Sequence, residues 1–144
     1  MNILALKHAL EEFLILEDAM AITQDIKINL EILNHQDLPV ILAHLSDEKV
    51  KIDISISMTE EQIICISHLC RLDEIQTNKK DELNQMMLRM NIPLPLSSYA
   101  IYGAHYVILG ALSRDSKIEN IVYELVMQFH NTVESLEMVE PYLI

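Results

Sequence analysis

The sequence predicts an α+β fold, with helices packed on one antiparallel sheet in the order α-ββββ-α-ββ-α. Three observations carry this. Apolar and polar residues alternate in successive short runs between Ile26 and Leu72, only a few turn residues separate those runs, and apolar stripes at helical spacing flank them.

Ile3, Leu6, Leu10, Phe13 and Leu14 recur at helical spacing behind Asn2, a residue type that caps helix starts, so residues 3–14 are read as a first helix. No period governs Ile15 to Asp25. From Ile26 the period becomes two: Ile26, Ile28, Leu30 and Ile32 alternate with Lys27, Asn29 and Glu31, which places the apolar set on one face of a strand. "NHQD" (34–37) is a turn, and "LPVILAHLS" (38–46) is a more buried strand that tolerates Pro39 near its start. Val50, Ile52, Ile54, Ile56 and Met58 alternate again, "TEE" (59–61) turns the chain, and "QIICISHLCRL" (62–72) forms the fourth strand. Turns this short join neighbours, so the four make an antiparallel meander that is polar on one face or half covered.

Leu83, Met86, Met87 and Met90 then mark a helix between Asn78 and Asn91, which Pro93 ends. "SSYAIYGAHYVILGALS" (97–113) reads as a hairpin turning near Gly103-Ala104, and Gly110 inside it implies a bulge or a close approach by the last helix. Ser116-Lys117-Ile118-Glu119 has capping-box form. A long stripe follows: Ile118, Ile121, Val122, Leu125, Phe129, Val133 and Leu136. With no linker, repeat or low-complexity run, residues 1–144 are expected to form a single domain.

A chain of this length buries roughly two-thirds of its unfolded surface and needs no metal or disulfide to fold. No apolar run approaches the roughly 20 residues of a membrane span, and the N-terminus lacks the basic segment of a signal peptide. A cytoplasmic location with reduced cysteines is the expectation. The 22 acidic residues outweigh 10 basic ones, giving a net charge of −12. That charge repels phosphate backbones, which disfavours nucleic acid and anionic membranes as direct partners and favours basic segments of another protein.

"CISHLC" (65–70) asks whether the chain holds a metal or uses a thiol. In a strand, Cys65 would face away from His68 and Cys70. His68 and Cys70 on one face would still leave a tetrahedral site two ligands short, unless His44 came from the next strand. Buried cysteine more simply acts as a small hydrophobe, so no metal and no cofactor is assigned. Glycines at 103 and 110 alone exclude a dinucleotide fingerprint or a P-loop. Ser113, Asp115 and Ser116 could form a polar cluster, but a strand-to-helix turn and cap explains them. No catalytic residue is therefore assigned, and an enzyme is not expected. The alternative is a small hydrolase around His68, Cys70 or Ser113, or a metal-binding protein at His68 and Cys70. Tyr99, Tyr102 and Tyr106 crowd one hairpin and are the candidate partner-binding residues, although tyrosine is also a favoured strand residue.

The stretch "PLPLSSYAIYGAHYVILGALSRDSKIENIVYEL" followed by "HNTVESLE" resembles the carboxy-terminal half of the YjfI-like family, a group of uncharacterised small bacterial proteins. The resemblance rests on Pro95-Leu96-Ser97, the strand ending "LGALS" (109–113), Ser116 with the glutamates of the last helix, and Asn131. It brings no activity to carry over. It implies a genomic neighbour, a phage-shock-protein-A-like membrane-stress protein, and hence a protein partner. The element order is also similar to that of type III secretion chaperones, which are small, acidic and dimeric, a likeness of layout alone. The expected function is a non-catalytic, adaptor-like or chaperone-like module that binds protein and can form a homodimer.

Overall fold

The computed structural model describes residues Met1–Ile144. Asn2 accepts a 2.8 Å hydrogen bond from the Ala5 amide and starts α1, Ile3–Leu14, which buries Ile3, Leu6 and Leu10. The unassigned stretch after it holds a fourth helix, α2 (Glu17–Thr23), absent from the expected order. It buries Ala19 alone, so no apolar stripe advertised it. Glu17 and Asp18 favour its positive end, and Gln24 ends it in a left-handed conformation.

The meander follows as β1 (Lys27–His35), β2 (Leu38–Ser46), β3 (Lys51–Met58) and β4 (Gln62–Arg71). After α3 (Lys80–Met90) come β5 (Ser98–Tyr102) and β6 (His105–Ser113), then α4 (Ile118–Val139). The six strands form one antiparallel sheet in the order β1-β2-β3-β4-β6-β5. Both outer hairpins close on two-residue loops. Gln36 and Asp37 take φ of 49° and 65°, the type I′ form, and Gly103 supplies φ of 60° between Tyr102 and His105.

Helices cover one face of the sheet. On that side α1 and α4 enclose a core that includes Ile41, Leu45, Ile54, Ile56, Ile63, Cys65 and Phe129. A second cluster joins Leu69, Cys70, Leu83, Met87, Tyr99, Tyr106 and Val139 under α3. The opposite face carries no helix and presents Leu42, His44, Ser55, Ile64, Ile66, His68 and Leu109.

One local expectation fails, and another resolves to the second of its two alternatives. The Ser116–Glu119 capping box does not form: the helix begins at Ile118 behind an extended Lys117, so Glu119 sits one position too early to reach back. Ser113 instead accepts from the Asp115 amide and shapes the turn. The bulge lies not at Gly110, which pairs with Cys65, but farther along in β4 between His68 and Cys70, opposite Val107 and Tyr106. Gly110 marks the close approach, since a Cβ there would meet Gln128 Oε1 at 3.0 Å.

That approach lets α4 hydrogen-bond to the sheet through buried polar side chains. Gln128 Nε2 donates to the carbonyls of Cys65 and Ile108 and to Ser67 Oγ; Ser67 lies 2.8 Å from Thr132 Oγ1; and Thr132 donates to the Gln128 carbonyl at 2.7 Å. With Thr132's proton committed, Ser67 must donate to it, so the bonds run head to tail in a ring. One turn on, Ser135 donates to the Asn131 carbonyl and receives the Tyr99 hydroxyl, while Asn131 Nδ2 holds Pro95 O and Ser97 Oγ. No buried side-chain nitrogen or oxygen is left without a partner.

Ser67→Ala and Thr132→Val are each expected to cost about 1 kcal/mol, and the pair less than the sum, because either substitution already opens the ring. Gly110→Ala should cost about 1–3 kcal/mol by displacing Gln128. Urea unfolding of the four proteins measures these; strictly additive losses would show that the ring does not act as a unit.

Candidate functional site

The bulge in β4 decides the fate of "CISHLC". Before it, odd-numbered residues face the helices: Ile63, Cys65 and Ser67 are buried, and His68 is on the open face. The extra residue shifts the alternation, so Leu69 and Cys70 both turn to the covered side and join one buried cluster. The expectation that His68 and Cys70 share a face is thus overturned, and the two thiols are the pair on a common side. Both are free, and burial pushes Cys65 up to about 12 and Cys70 up to about 11, with Glu124 and Glu74 respectively adding to the effect.

On the open face, His68 packs its ring edge-on to His105 with centroids 4.5 Å apart. Desolvation first, and His105 second, hold its pKa below the ordinary imidazole value. His44 does not turn toward it. Its Nδ1 sits 2.7 Å from Asp53 Oδ1 and its Nε2 3.4 Å from Glu31 Oε2, and the Asp53 hydrogen bond, helped by Glu31, raises its pKa. No three His, Cys, Asp or Glu side chains gather where they could hold a metal ion.

Ser113 lies across from Gln62 at the far end of β4, about 20 Å along the strand from His68. His68, Cys70 and Ser113 therefore share no cleft. Ser113, Asp115 and Ser116 line a polar depression of about 540 Å³ with Glu60, Glu61 and Arg114. Arg114 is engaged there with the backbone carbonyls of Thr59 and Met1, tying the β3–β4 turn to the N-terminus.

The tyrosines divide. Tyr99 and Tyr106 turn inward, bonded to Ser135 and to Asn84 Oδ1, while Tyr102 remains on the surface. The trio is not one exposed patch, yet Tyr99 and Tyr106 form the floor of a cleft between α3 and the β5 edge. Its volume is about 340 Å³, and Met87, Leu88, Ala100 and Ile101 supply the rest of its apolar lining. Asn84 and Asn91 contribute the polar groups. Leu88 is 70% exposed and Ile101 56% exposed at the rim, with Ile92, Leu96 and Tyr102 uncovered nearby. The helix residues recur at 84, 88 and 91, a stripe beside the one formed by Leu83, Met86, Met87 and Met90. Its single leucine among amides gave no apolar period to read, which is why the sequence concealed this wall.

Asn91 has a second role. Its Oδ1 accepts from the Tyr99 amide at 2.6 Å and its Nδ2 donates to the Tyr99 carbonyl, filling backbone positions that an added strand would occupy. Concave, mostly apolar and furnished with a few fixed polar groups, the cleft has the make-up of a site for one bulky apolar group.

A family model described as "Uncharacterized protein conserved in bacteria (DUF2170)" matches residues 2–143. "Uncharacterized protein YjfI" of Escherichia coli strain K12 is 32% identical over 95 residues, covering 63% of this chain and 70% of that protein. The protein of the same name from Escherichia coli O157:H7 matches to the same extent.

Two measurements test the chemistry of the open and covered faces. At pH 8, iodoacetamide should leave both native thiols largely unmodified and react with both after unfolding; in the folded chain any reaction should reach Cys70, 8% exposed, before Cys65, 1% exposed. A Cys70 that reacts like a free thiol would contradict its burial. In an NMR titration His44 should titrate above the ordinary imidazole value and His68 below it, and Asp53→Asn should lower the His44 midpoint. Because the folded-state value of His44 is raised, its contribution to stability is complete below the unfolded value and fades as pH rises through the folded one.

Proposed function

The chain belongs to this family of uncharacterised bacterial proteins, and from that premise we propose that it is a non-catalytic module that binds protein through the cleft between α3 and β5. The observation that carries the reading is the cleft itself: exposed Leu88 and Ile101 stand over a floor of Tyr99 and Tyr106 whose hydroxyls are already engaged. Tyrosines committed in this way present ring surface rather than reactive groups. Such a surface suits an apolar anchor side chain, the element that dominates most protein contacts.

The net charge of −12 supports a partner whose anchor is flanked by basic residues. Asp81 and Glu82 lie in the first turn of α3, just ahead of Asn84, the first helix residue to line the cleft. No helix of the structure is long and apolar enough to cross a membrane. A role beside a membrane-stress system would then come through a protein contact, and a phage-shock-protein-A-like protein is the first partner to test.

Photo-crosslinking groups placed at Leu88 and at Ile101, with Tyr123 on α4 as a control site, address this directly. A single adduct from both cleft positions and none from the control is expected. Ile101→Asp should weaken the same contact about tenfold or more, as losing a buried anchor does. Raised salt should weaken it further if basic residues flank the anchor. Adducts from the control alone, or none from either cleft position, would overturn the reading.

A further inference from the structure

We infer that the β1 edge of the sheet pairs with β1 of a second copy of this chain, joining two sheets into one continuous sheet across a two-fold axis. The inference concerns a surface separate from the α3–β5 cleft and does not rest on the function proposed for it.

Which backbone groups face outward on each edge follows from the hairpins. A two-residue loop is closed by a pair that exchanges both hydrogen bonds, and the pattern then alternates along the strand. Tyr102 and His105 close the β5–β6 hairpin, so Tyr99 and Ile101 point their amides and carbonyls away from β6. The Asn91 side chain meets Tyr99 there, as the alternation requires. His35 and Leu38 close the β1–β2 hairpin in the same way, so Ile28, Leu30 and Ile32 direct theirs away from β2. Nothing meets them. No turn, cap or side-chain hydrogen bond in the structure reaches the outward backbone of these three residues.

The two edges are therefore unlike. β5 is five residues long with one outward pair of groups already capped, whereas β1 is nine residues long and bare. It holds no proline or glycine, and its register with β2 runs without a bulge from Lys27 to His35. Natural sheets protect such edges with prolines, bulges, covering segments or charged side chains; of these β1 has only the charges of Lys27 and Glu31, which are of opposite sign.

The side chains select the partner. Ile28, Leu30 and Ile32 project to the helix side, where each is only half buried at the rim of the core. On the open side stand Lys27, Asn29 and Glu31. An antiparallel pairing with the two-fold axis at Asn29 sets Ile28 against Leu30 of the other copy. The same register places Lys27 opposite Glu31, and Glu31 opposite Lys27, so the strand is complementary to itself. An axis at Glu31 would oppose like charges and is disfavoured. Two chains of net charge −12 repel at long range, so the association belongs to ionic strengths near 0.15 M, where screening acts over about 8 Å.

Sedimentation equilibrium of the full chain in 0.15 M salt should give about twice the 16.6 kDa chain mass. Lys27→Glu and Glu31→Lys, both at exposed positions, should each raise the dimer dissociation constant by roughly tenfold or more. Mixing the two variants should restore a heterodimer, and the double variant should restore the homodimer, outcomes that misfolding cannot produce. A monomer at concentrations up to about 100 μM would overturn the proposal. So would a dimer indifferent to these charges, failure of the mixture to recover, or a dimer abolished by Ile66→Lys on the open face but untouched by the β1 substitutions.

Discussion

The structure depends on how closely α4 can lie on the sheet. A helix seated only on apolar side chains would stand off at the usual distance and slide with little cost. Here Gly110 removes the one Cβ that would intervene, and Gln128 reaches past it to the strand carbonyls. Ser67 and Thr132 complete a ring in which no buried side-chain donor or acceptor lacks a partner, so rotating α4 by a single residue would orphan several buried groups at once. Each orphan would cost about 1–3 kcal/mol. The apolar stripe supplies most of the burial energy; the polar ring fixes the position in which it is collected. The same seam, continued through Ser135 to the Tyr99 hydroxyl, holds β5 in place and with it the floor of the cleft.

One-sided coverage then dictates where the molecule can make contact. With α1, α3 and α4 all on one side, the helix layer ends at the sheet's two outer strands, and unsatisfied surface collects there. At β5 the layer leaves a gap that becomes the cleft, and Asn91 imitates a strand to close the backbone beside it. At β1 the sheet simply stops, with half-buried Ile28, Leu30 and Ile32 at the boundary. The uncovered face is a different case. Ile64, Ile66 and Leu109 are interleaved there with Ser55, Ser57 and Ser98, and the His44 contacts to Asp53 and Glu31 form a polar margin. Small hydroxylated residues between the aliphatic ones keep that face level and partly hydrated.

The period-two alternation made β1 and β3 legible, because a strand with one covered face repeats every second residue, while the turn residues around them marked β2, β4 and the β5–β6 hairpin, whose β6 buries Tyr106, Val107 and Ile108 in succession. Helix α1 was equally plain, since Asn2 and a regular stripe agree. What stayed hidden were features that obey no period. Helix α2 buries a single alanine. The β4 bulge changes which face Cys70 occupies through one extra residue, Leu69, that looks like any other strand leucine. Gln128, Asn131, Thr132 and Ser135 read as the polar side of an amphipathic helix, yet all four are buried, because the sheet beneath offers carbonyls and hydroxyls instead of methyl groups. Their spacing, close to one face of the helix and beside Phe129, was the available signal. The tyrosines were assigned to the right hairpin, but which of them stay exposed depends on α3, whose position no local pattern records.

The two edges also constrain each other. β1 and β5 are separated by five strand spacings, about 24 Å, so pairing at one edge cannot obstruct the other. A two-fold axis through Asn29 would leave the two α3–β5 clefts at opposite ends of a twelve-stranded sheet, both accessible. A partner carrying two anchors could then engage both clefts, and the second contact would form at an effective concentration set by the spacing rather than by the partner's abundance. A partner with one anchor would gain nothing from the dimer. The strength of binding would thus depend on the valency of the partner, and the bare β1 edge would act on the cleft without touching it.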